Sequence, residues 1–295
     1  MAEVRFYMNI SGIMPALVTP YKTNGEVNLP EVKKLVRTLL EDGANGFYIC
    51  GSTAECFMLK DDERKAVAEA VTEEVNGRVP VIAHVGTIWA DQAADLAKHA
   101  ASCGVTAVSS VPPFYYKFTF QEIVDYYKIL SDSTDLPVVI YNFPAFSGVS
   151  INSQNIGEII KNCRVGGLKY TDHNLFELEK IRRKFPELTI MYGHDEVLLN
   201  ALPIGISGAI GSTFNAMTPK YKRVVDAYYA GNLEEASRLQ HEASSIVELL
   251  AKVGIFRGVK YLLSKKGIEC NGCRKPFRDL TAEEMQLLDQ IGDLN

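Results

Sequence analysis

The sequence has no cluster of basic residues and no long apolar run, and both absences exclude classes of function. Its 295 residues carry a formal net charge of −5. Because nucleic-acid-binding surfaces concentrate lysine and arginine, we expect no nucleic-acid partner. No apolar stretch reaches the roughly 18 residues of a membrane-spanning helix. Residues 1–7 also lack a basic segment followed by an apolar one, so we expect no signal peptide, no membrane association and a cytosolic location.

Cysteine is sparse and scattered, which argues against a disulfide framework. Of the six cysteines, only Cys270 and Cys273 form a C-x-x-C pair, and the nearest histidine, His241, lies far back in the sequence. A structural zinc site usually needs two such pairs or added histidines. The five histidines show neither metal-ligand spacing nor a Ser/His/Asp pattern. We therefore expect free thiols, no metal, and histidines that are satisfied or exposed polar residues.

Short apolar runs alternate with amphipathic stretches along most of the chain, at a spacing of about 25–30 residues that is typical of βα units. Eight successive units predict an α/β protein built as a (β/α)8 barrel. A doubly wound sheet is the alternative, although no Gly-x-Gly-x-x-Gly follows the first strand. The predicted strands are 12–18, 46–50, 80–84, 107–111, 137–141, 166–169, 189–192 and 208–211.

The predicted helices extend beyond the barrel. Because such a barrel takes about 250 residues, we predict a catalytic barrel over residues 1–231 and a helical extension packed on it over residues 232–295. Thr281 and Glu284 have the spacing of a capping box at a helix start. The predicted helices are 30–41, 61–75, 90–101, 119–130, 153–161 and 174–185 in the barrel, and 233–250, 254–264 and 281–291 in the extension.

One lysine stands at the end of a predicted buried strand. Lys169 closes an apolar run that contains two glycines. A buried ammonium is unfavourable, so such a lysine tends to lose its proton and become an amine that forms Schiff bases with ketones. Alternatively, the aliphatic stem packs and the charge reaches water. The segment alone leaves both interpretations open.

Polar residues gather at the predicted carboxyl ends of the other strands, where barrel enzymes carry out their chemistry. Ser52 and Thr53 lie in a strand-to-helix turn that suits a carboxylate or phosphate, or else cap a helix. Tyr141 is either a packed tyrosine or, beside a neutral lysine, an acid/base. Asp195 and Glu196 suit an exposed helix start or a polyol. As a set, these residues suit a 2-keto acid with a hydroxylated tail.

Three spaced motifs carry a resemblance to a known family. They are Gly51-Ser52-Thr53-x-Glu55, Tyr141-Asn142-x-Pro144 and Gly167-x-Lys169. Together they resemble the dihydrodipicolinate synthase / N-acetylneuraminate lyase superfamily of class I aldolase barrels, and the resemblance covers nearly the whole chain. It implies the same barrel fold and a pyruvate-dependent aldolase activity.

Within the superfamily, segments 141–148, 193–196 and 211–215 are similar to the N-acetylneuraminate lyase branch. Phe146 stands where synthases of the superfamily typically carry an arginine, which argues against a second substrate carboxylate at that point. Two residues depart from the family pattern. Ala54 replaces a common glycine and could alter the turn, and His194 stands where an aromatic residue is usual and could alter contacts to the substrate tail.

The resemblance implies a role for each matching residue. Lys169 attacks the C2 ketone of open-chain sialic acid, while Ser52 and Thr53 hold the C1 carboxylate. Tyr141 takes the C4 hydroxyl proton, and the products are pyruvate and N-acetylmannosamine. Thr171, Gly193, Asp195, Glu196 and Ser212 bind the amino-sugar and glycerol end. No cofactor and no metal are implied, because the protonated imine polarises the substrate.

The resemblance also implies an assembly. Ser52 links Tyr141 to a second tyrosine, Tyr115, which in relatives comes from a neighbouring subunit, so a homotetramer is expected. Two alternatives to the sialic acid activity stay open. One is a sister aldolase acting on another 2-keto-3-deoxy sugar acid, and the other is a catalytically silent barrel that binds a keto acid.

Overall fold

The computed structural model describes residues 8–295, and its eight parallel strands form the predicted barrel. The expectation of no signal peptide concerns residues 1–7, which lie outside the described residues. The strands are β1 Gly12–Pro15, β2 Phe47–Ile49, β3 Val81–His84, β4 Ala107–Ser110, β5 Val138–Asn142, β6 Val165–Tyr170, β7 Thr189–Tyr192 and β8 Gly208–Gly211.

The sheet nearly closes on itself. The hydrogen-bonded order runs from β1 through β8, β7, β6, β5, β4 and β3 to β2. The gap between β1 and β2 is spanned by one bridge, between Ala16 and Tyr48, and the Leu17 N–H donates to the Tyr48 carbonyl at 2.9 Å. β1 is shorter than the predicted strand 12–18. Residues 16–18 follow it with isolated contacts to neighbouring strands and do not extend the regular hydrogen-bonded ladder.

Helices separate the strands and continue after the last one. Each of the nine helices with a predicted range is present, within three residues at either end. Thr281 and Glu284 form the predicted capping box, with Thr281 Oγ1 accepting the Glu284 N–H at 3.2 Å. The helices are α1 Leu29–Glu41, α2 Asp61–Val75, α3 Ala90–Ser102, α4 Phe120–Asp132, α5 Pro144–Ser147, α6 Ile156–Asn162, α7 Leu175–Lys184, α8 Leu198–Ala201, α9 Phe214–Tyr229, α10 Leu233–Val253, α11 Ile255–Lys265 and α12 Ala282–Asp289.

Side chains alternate between the two faces of each strand, and this alternation divides the hydrophobic core into two parts. Ile140 of β5 and Leu168 of β6 belong to the outer core, between sheet and helices. Their neighbours Val139 and Tyr141 belong to a smaller cluster inside the barrel. Because successive side chains point to opposite faces, Lys169, which follows Leu168, points into the barrel and ends in its upper layer.

The C-terminal extension is joined to the barrel by a buried ion pair. Lys260 Nζ of α11 lies 2.6 Å from Glu55 Oε1, and both side chains are almost fully buried. The other oxygen of Glu55 accepts the Arg274 N–H at 2.7 Å. Removing one member of a buried pair destabilises a protein by roughly 3–5 kcal/mol, so this contact fixes the extension against the turn that follows β2.

Residues 231 and 232, where we predict the barrel to end and the extension to begin, lie in the turn between α9 and α10. The division into a catalytic barrel and an extension stays a prediction. None of the helices within residues 8–295 has both the length and the apolar character needed to cross a membrane.

Candidate active site

The amine of Lys169 lies at the floor of a cavity at the carboxyl end of the barrel. Tyr141 and Lys169 face each other in register across β5 and β6. Nζ lies 3.9 Å from the ring centroid of Tyr141 and 4.2 Å from that of Tyr48. Among the hydrogen bonds within residues 8–295, none involves this nitrogen. The amine is therefore held by aromatic faces rather than by fixed acceptors.

Burial makes this amine easy to deprotonate. It lowers the pKa of Lys169 from 10.5 to about 7, and the charge of the Asp195 carboxylate opposes this larger effect. The side chain is 4% exposed, so the stem does not carry the charge out to water. The second interpretation of the sequence, a packed stem with a solvated charge, is wrong. A large fraction of the lysine is a neutral nucleophile near pH 7.

Aromatic and imidazole rings pack around the amine. Tyr48 and Tyr141 meet edge to face, with centroids 5.9 Å apart, and the Tyr48 hydroxyl donates to Ser109 Oγ at 3.0 Å. His84 accepts the Val111 N–H on Nε2 at 3.3 Å, so its Nδ1–H donates to a carbonyl 3.0 Å away. Burial lowers the pKa of His84 well below its usual value. These neutral rings form an apolar wall that keeps Lys169 desolvated.

The phenol of Tyr141 is also buried, and burial raises its pKa. The hydroxyls of Ser52 and Thr171 lie beside it and partly offset that rise. Thr171 Oγ1 is itself buried and forms no well-formed hydrogen bond within the described residues. Three hydroxyl groups, of Tyr141, Ser52 and Thr171, therefore meet at one wall of the cavity.

Ser52 and Thr53 lie in a short 3₁₀ turn, Ser52–Ala54, directly after β2. Gly51 is the N-cap of this turn, and neither Ser52 nor Thr53 caps a helix, so the capping interpretation is wrong. Thr53 Oγ1 lies 2.7 Å from Ser212 Oγ, which joins this turn to the end of β8. The first N–H groups of such a turn have no partner within it, and together with the hydroxyls they suit a carboxylate.

Asp195 opens a short 3₁₀ turn, Asp195–Val197, but its side chain is buried rather than exposed. It is 7% exposed, and its Oδ2 accepts both the N–H and the hydroxyl of Thr213, at 2.8 and 2.7 Å. Burial raises the pKa of Asp195 to about 6, against the effect of these hydrogen bonds. Two glycines make room here, because a Cβ at Gly211 would lie 2.2 Å from Asp195 Oδ1 and one at Gly193 would lie 2.0 Å from Thr171 Oγ1.

Glu196 lies nearer the rim. Its Oε1 lies 3.1 Å from Nδ1 of His194. Burial alone would raise the pKa of Glu196. The hydrogen bond from His194 and other nearby contacts together outweigh burial, so the pKa of Glu196 is lowered. The carboxylate is thus charged and half-buried, with one oxygen held and the other available to a ligand.

The cavity has a volume of about 480 Å³, which suits a small metabolite. Tyr115 lies outside it. Its side chain is 85% exposed and packs edge to face on Tyr116. All the other predicted site residues line the cavity: Ser52, Thr53, Tyr141, Lys169, Thr171, Gly193, Asp195, Glu196 and Ser212.

Several lining residues have no counterpart in the sequence analysis. The C-terminal extension, predicted only to pack on the barrel, supplies part of the rim. Its lining residues are Val247, Ala251, Gly254, Ile255, Phe256, Arg257 and Phe277. Thr213, which donates two hydrogen bonds to Asp195, lies in segment 211–215 but was assigned no role. Tyr48, which lies against the amine, is new, and its position inside an apolar strand gave no signal of that contact.

Comparisons with known proteins show the family to which the chain belongs. The model of the dihydrodipicolinate synthetase family matches residues 9–292. The N-acetylneuraminate lyase of Citrobacter koseri is 39% identical over 294 residues, which cover 96% of this chain and 99% of that one. A crystal structure of CdNal from Clostridium difficile in complex with mannosamine superposes with a TM-score of 0.93 at 33% identity, covering 96% of this chain and 98% of that chain.

A third similar structure is that of a catalytic lysine mutant of the Ruminococcus gnavus sialic acid aldolase, with a TM-score of 0.93, 28% identity and coverage of 96% of this chain and 94% of that one. The family match extends over the whole barrel and most of the extension. The chain belongs to the dihydrodipicolinate synthetase family.

Proposed function

We propose that this protein is a class I aldolase that cleaves N-acetylneuraminate reversibly to N-acetylmannosamine and pyruvate. The observation that carries the proposal is the buried amine of Lys169, whose pKa is lowered to about 7 at the floor of a polar cavity. A silent binding barrel would have no need of a desolvated amine. The full-length similarity to an N-acetylneuraminate lyase supports the choice of substrate.

In the proposed reaction, the neutral amine of Lys169 adds to the C2 ketone of the open-chain sugar acid. Loss of water leaves a protonated imine on C2. The C1 carboxylate binds the hydroxyls and N–H groups of Ser52 and Thr53. The imine then accepts the electron pair of the C3–C4 bond, which gives an enamine of pyruvate and an aldehyde. Protonation of C3 and hydrolysis release pyruvate and restore the lysine.

Tyr141 takes the proton of the C4 hydroxyl as the C3–C4 bond breaks. Because burial raises its pKa, a standing phenolate is unfavourable. The phenol proton must therefore leave as the C4 proton arrives, and Ser52, which lies beside the phenol, offers the exit. In the condensation direction the same raised pKa keeps the proton on Tyr141 until the aldehyde oxygen needs it.

The sugar tail binds at the opposite wall. Asp195 Oδ2 is occupied by Thr213, which leaves Oδ1 for a substrate hydroxyl. Glu196 adds a charged acceptor, and the hydroxyl of Thr171 adds a donor. With Gly193 and Ser212, these groups suit an amino-sugar with a glycerol end better than an apolar tail.

Tyr141, Ser52 and a second tyrosine from another subunit would together form a proton relay. Tyr115 is exposed on the surface of its own chain and carries a positive φ of 75°. Such an exposed aromatic residue on a strained loop suits insertion into a neighbouring site. We propose a cytosolic homotetramer in which Tyr115 of one subunit completes the relay of the next.

Substrate choice is tested by incubating the protein with a panel of 2-keto-3-deoxy sugar acids and measuring pyruvate release. N-Acetylneuraminate should be cleaved with the highest kcat/KM. A higher value for a sugar acid that lacks the amide would favour the sister aldolase. Pyruvate binding without release of pyruvate from any member would favour the silent barrel.

Imine formation should follow the titration of Lys169. With a pKa of about 7, the neutral amine rises from about one tenth at pH 6 to about nine tenths at pH 8. The rate at which borohydride traps the imine formed with pyruvate should therefore increase from pH 6 to pH 8. Because the Asp195 charge raises the pKa of Lys169, Asp195→Asn should move the midpoint to lower pH. A midpoint that stays near pH 10 would contradict a desolvated amine.

Glu196→Gln should weaken the handling of N-acetylneuraminate without affecting the covalent step. Loss of a charged hydrogen bond costs about 1–3 kcal/mol, or roughly 5- to 150-fold in kcat/KM. Pyruvate trapping at Lys169 should be unchanged, because Glu196 lies at the rim. Glu179→Gln, an exposed residue of α7, is the matched control. A parallel fall in cleavage and trapping would make Glu196 structural.

A further inference from the structure

Two histidines converge on one carboxylate oxygen at the rim of the cavity. Oε1 of Glu196 lies 3.1 Å from Nδ1 of His194 and 3.9 Å from Nε2 of His173. The two imidazole rings are stacked, with centroids 3.7 Å apart and an angle of 21° between their planes. One ligand atom from each of the three residues lies within 4.8 Å of the other two.

This set of atoms matches the preferences of a divalent transition metal. Two imidazoles and a carboxylate are ligands of Zn²⁺, whereas Mg²⁺ and Ca²⁺ prefer oxygen alone. Ligand atoms around a tetrahedral zinc ion stand about 3.3 Å apart, as follows from Zn–N bonds of about 2.0–2.1 Å. The pair formed by His194 and Glu196 already has nearly this spacing.

The third ligand can move to the same spacing. The side chain of His173 is 68% exposed, so its ring can turn from the stack without displacing the core. His194 is 16% exposed and Glu196 is 36% exposed, which makes them the fixed part of the site. Zinc would replace the proton between His194 Nδ1 and Glu196, and the neutral imidazole would then carry its single proton on Nε2.

We propose that His173, His194 and Glu196 form an inhibitory zinc site at the rim of the cavity. The bound ion takes the carboxylate that otherwise binds the sugar tail, and it leaves Lys169 untouched at the floor. Zinc therefore competes with N-acetylneuraminate but not with pyruvate. The inhibitory part of this inference rests on the proposed function, whereas the binding part does not.

A second cluster of potential ligands serves as an internal control. Glu69, His99 and Cys103 also lie within 4.8 Å of one another, but on the outer surface of α2 and α3. None of them lines the cavity. Zinc bound there should not affect the reaction, and His99→Gln removes that cluster from binding measurements.

Zinc binding is measured first, by isothermal titration in the His99→Gln background, with and without His173→Gln. Loss of an outer-shell partner alone lowers metal affinity about 10- to 100-fold, so loss of the ligand His173 should weaken binding at least tenfold. Equal zinc affinity of the two proteins, or no binding to either, overturns the site. Activity plays no part in this measurement, so it decides the site even if sialic acid is not the substrate.

Kinetics then test inhibition in the wild-type chain. Zn²⁺ should raise the apparent KM for N-acetylneuraminate, EDTA should restore it, and Mg²⁺ should have no effect. His173→Gln should need at least about tenfold more zinc for the same effect, while His99→Gln should match the wild type. Trapping of pyruvate by borohydride should not change with zinc. Equal loss of trapping and cleavage would overturn the proposal, because the metal would then act at Lys169.

Discussion

Lys169→Ala should abolish cleavage of N-acetylneuraminate. Among the described residues, Lys169 is the one lysine that lines the cavity, so no other amine is placed to replace it. Removal of a covalent nucleophile lowers kcat by roughly 10⁶-fold in other enzymes. We expect a comparable loss here, measured as pyruvate release from N-acetylneuraminate at saturating substrate.

The covalent assignment is checked on the unmodified protein. Incubation with pyruvate and borohydride should add one reduced three-carbon unit, and peptide mass mapping should find it on Lys169. Lys98→Ala, which removes an exposed lysine of α3, should retain full activity and full labelling. An adduct on another lysine, or none on any, would refute the Schiff base.

The loss in Lys169→Ala should come from chemistry rather than from unfolding. Alanine fills less of the space beneath the rings, but it also removes a buried ionisable group, and that relieves a desolvation penalty. The thermal midpoint should therefore change little or rise. A large fall in thermal stability with residual activity in the folded fraction would show that Lys169 acts mainly in packing.

The barrel could be predicted from the sequence because its pattern repeats. Eight apolar runs at even spacing admit few architectures, and each run overlaps one strand of the barrel. Lys169 could be identified as a candidate functional residue from the sequence, because a cation at the end of an apolar run departs from the local pattern. Such violations are where sequence reasoning locates function most reliably, since packing alone does not explain them.

Other parts of the site leave no mark in the sequence. Tyr48 lies within an apolar strand, where nothing distinguishes a residue facing the amine from one facing the helices. Asp195 and Glu196 are adjacent, yet one is buried and the other half-exposed, because Gly211 leaves room for the carboxylate of Asp195 and Thr213 donates two hydrogen bonds to it.

The rim depends on contacts distant in sequence. His173 and His194 follow adjacent strands, β6 and β7, so the barrel stacks two rings that show no ligand spacing along the chain. The residues contributed by the extension depend on how α10 and α11 pack over the barrel. That packing is fixed in part by the pair of Lys260 and Glu55, and sequence periodicity does not predict such a pair.

Tyr141→Phe should lower cleavage by about 10²–10⁴-fold, the usual contribution of a positioned acid/base. The substitution keeps the ring that covers Lys169 and deletes only the hydroxyl. Imine formation with pyruvate should therefore survive better than cleavage of the C3–C4 bond. The measurement compares kcat for N-acetylneuraminate with the rate of borohydride trapping by pyruvate in the same preparation.

The matched control is Tyr127→Phe, which deletes an equally buried hydroxyl outside the cavity, where it donates to the Ser110 carbonyl at 2.8 Å. Both variants lose one buried hydroxyl, so both should lose similar stability, but only Tyr141→Phe should lose the cleavage step. Equal activity of the two variants would remove Tyr141 from the proton relay. Equal loss of trapping and cleavage in Tyr141→Phe would instead assign the hydroxyl to imine formation, because a group that moves only the C4 proton cannot affect a reaction with pyruvate.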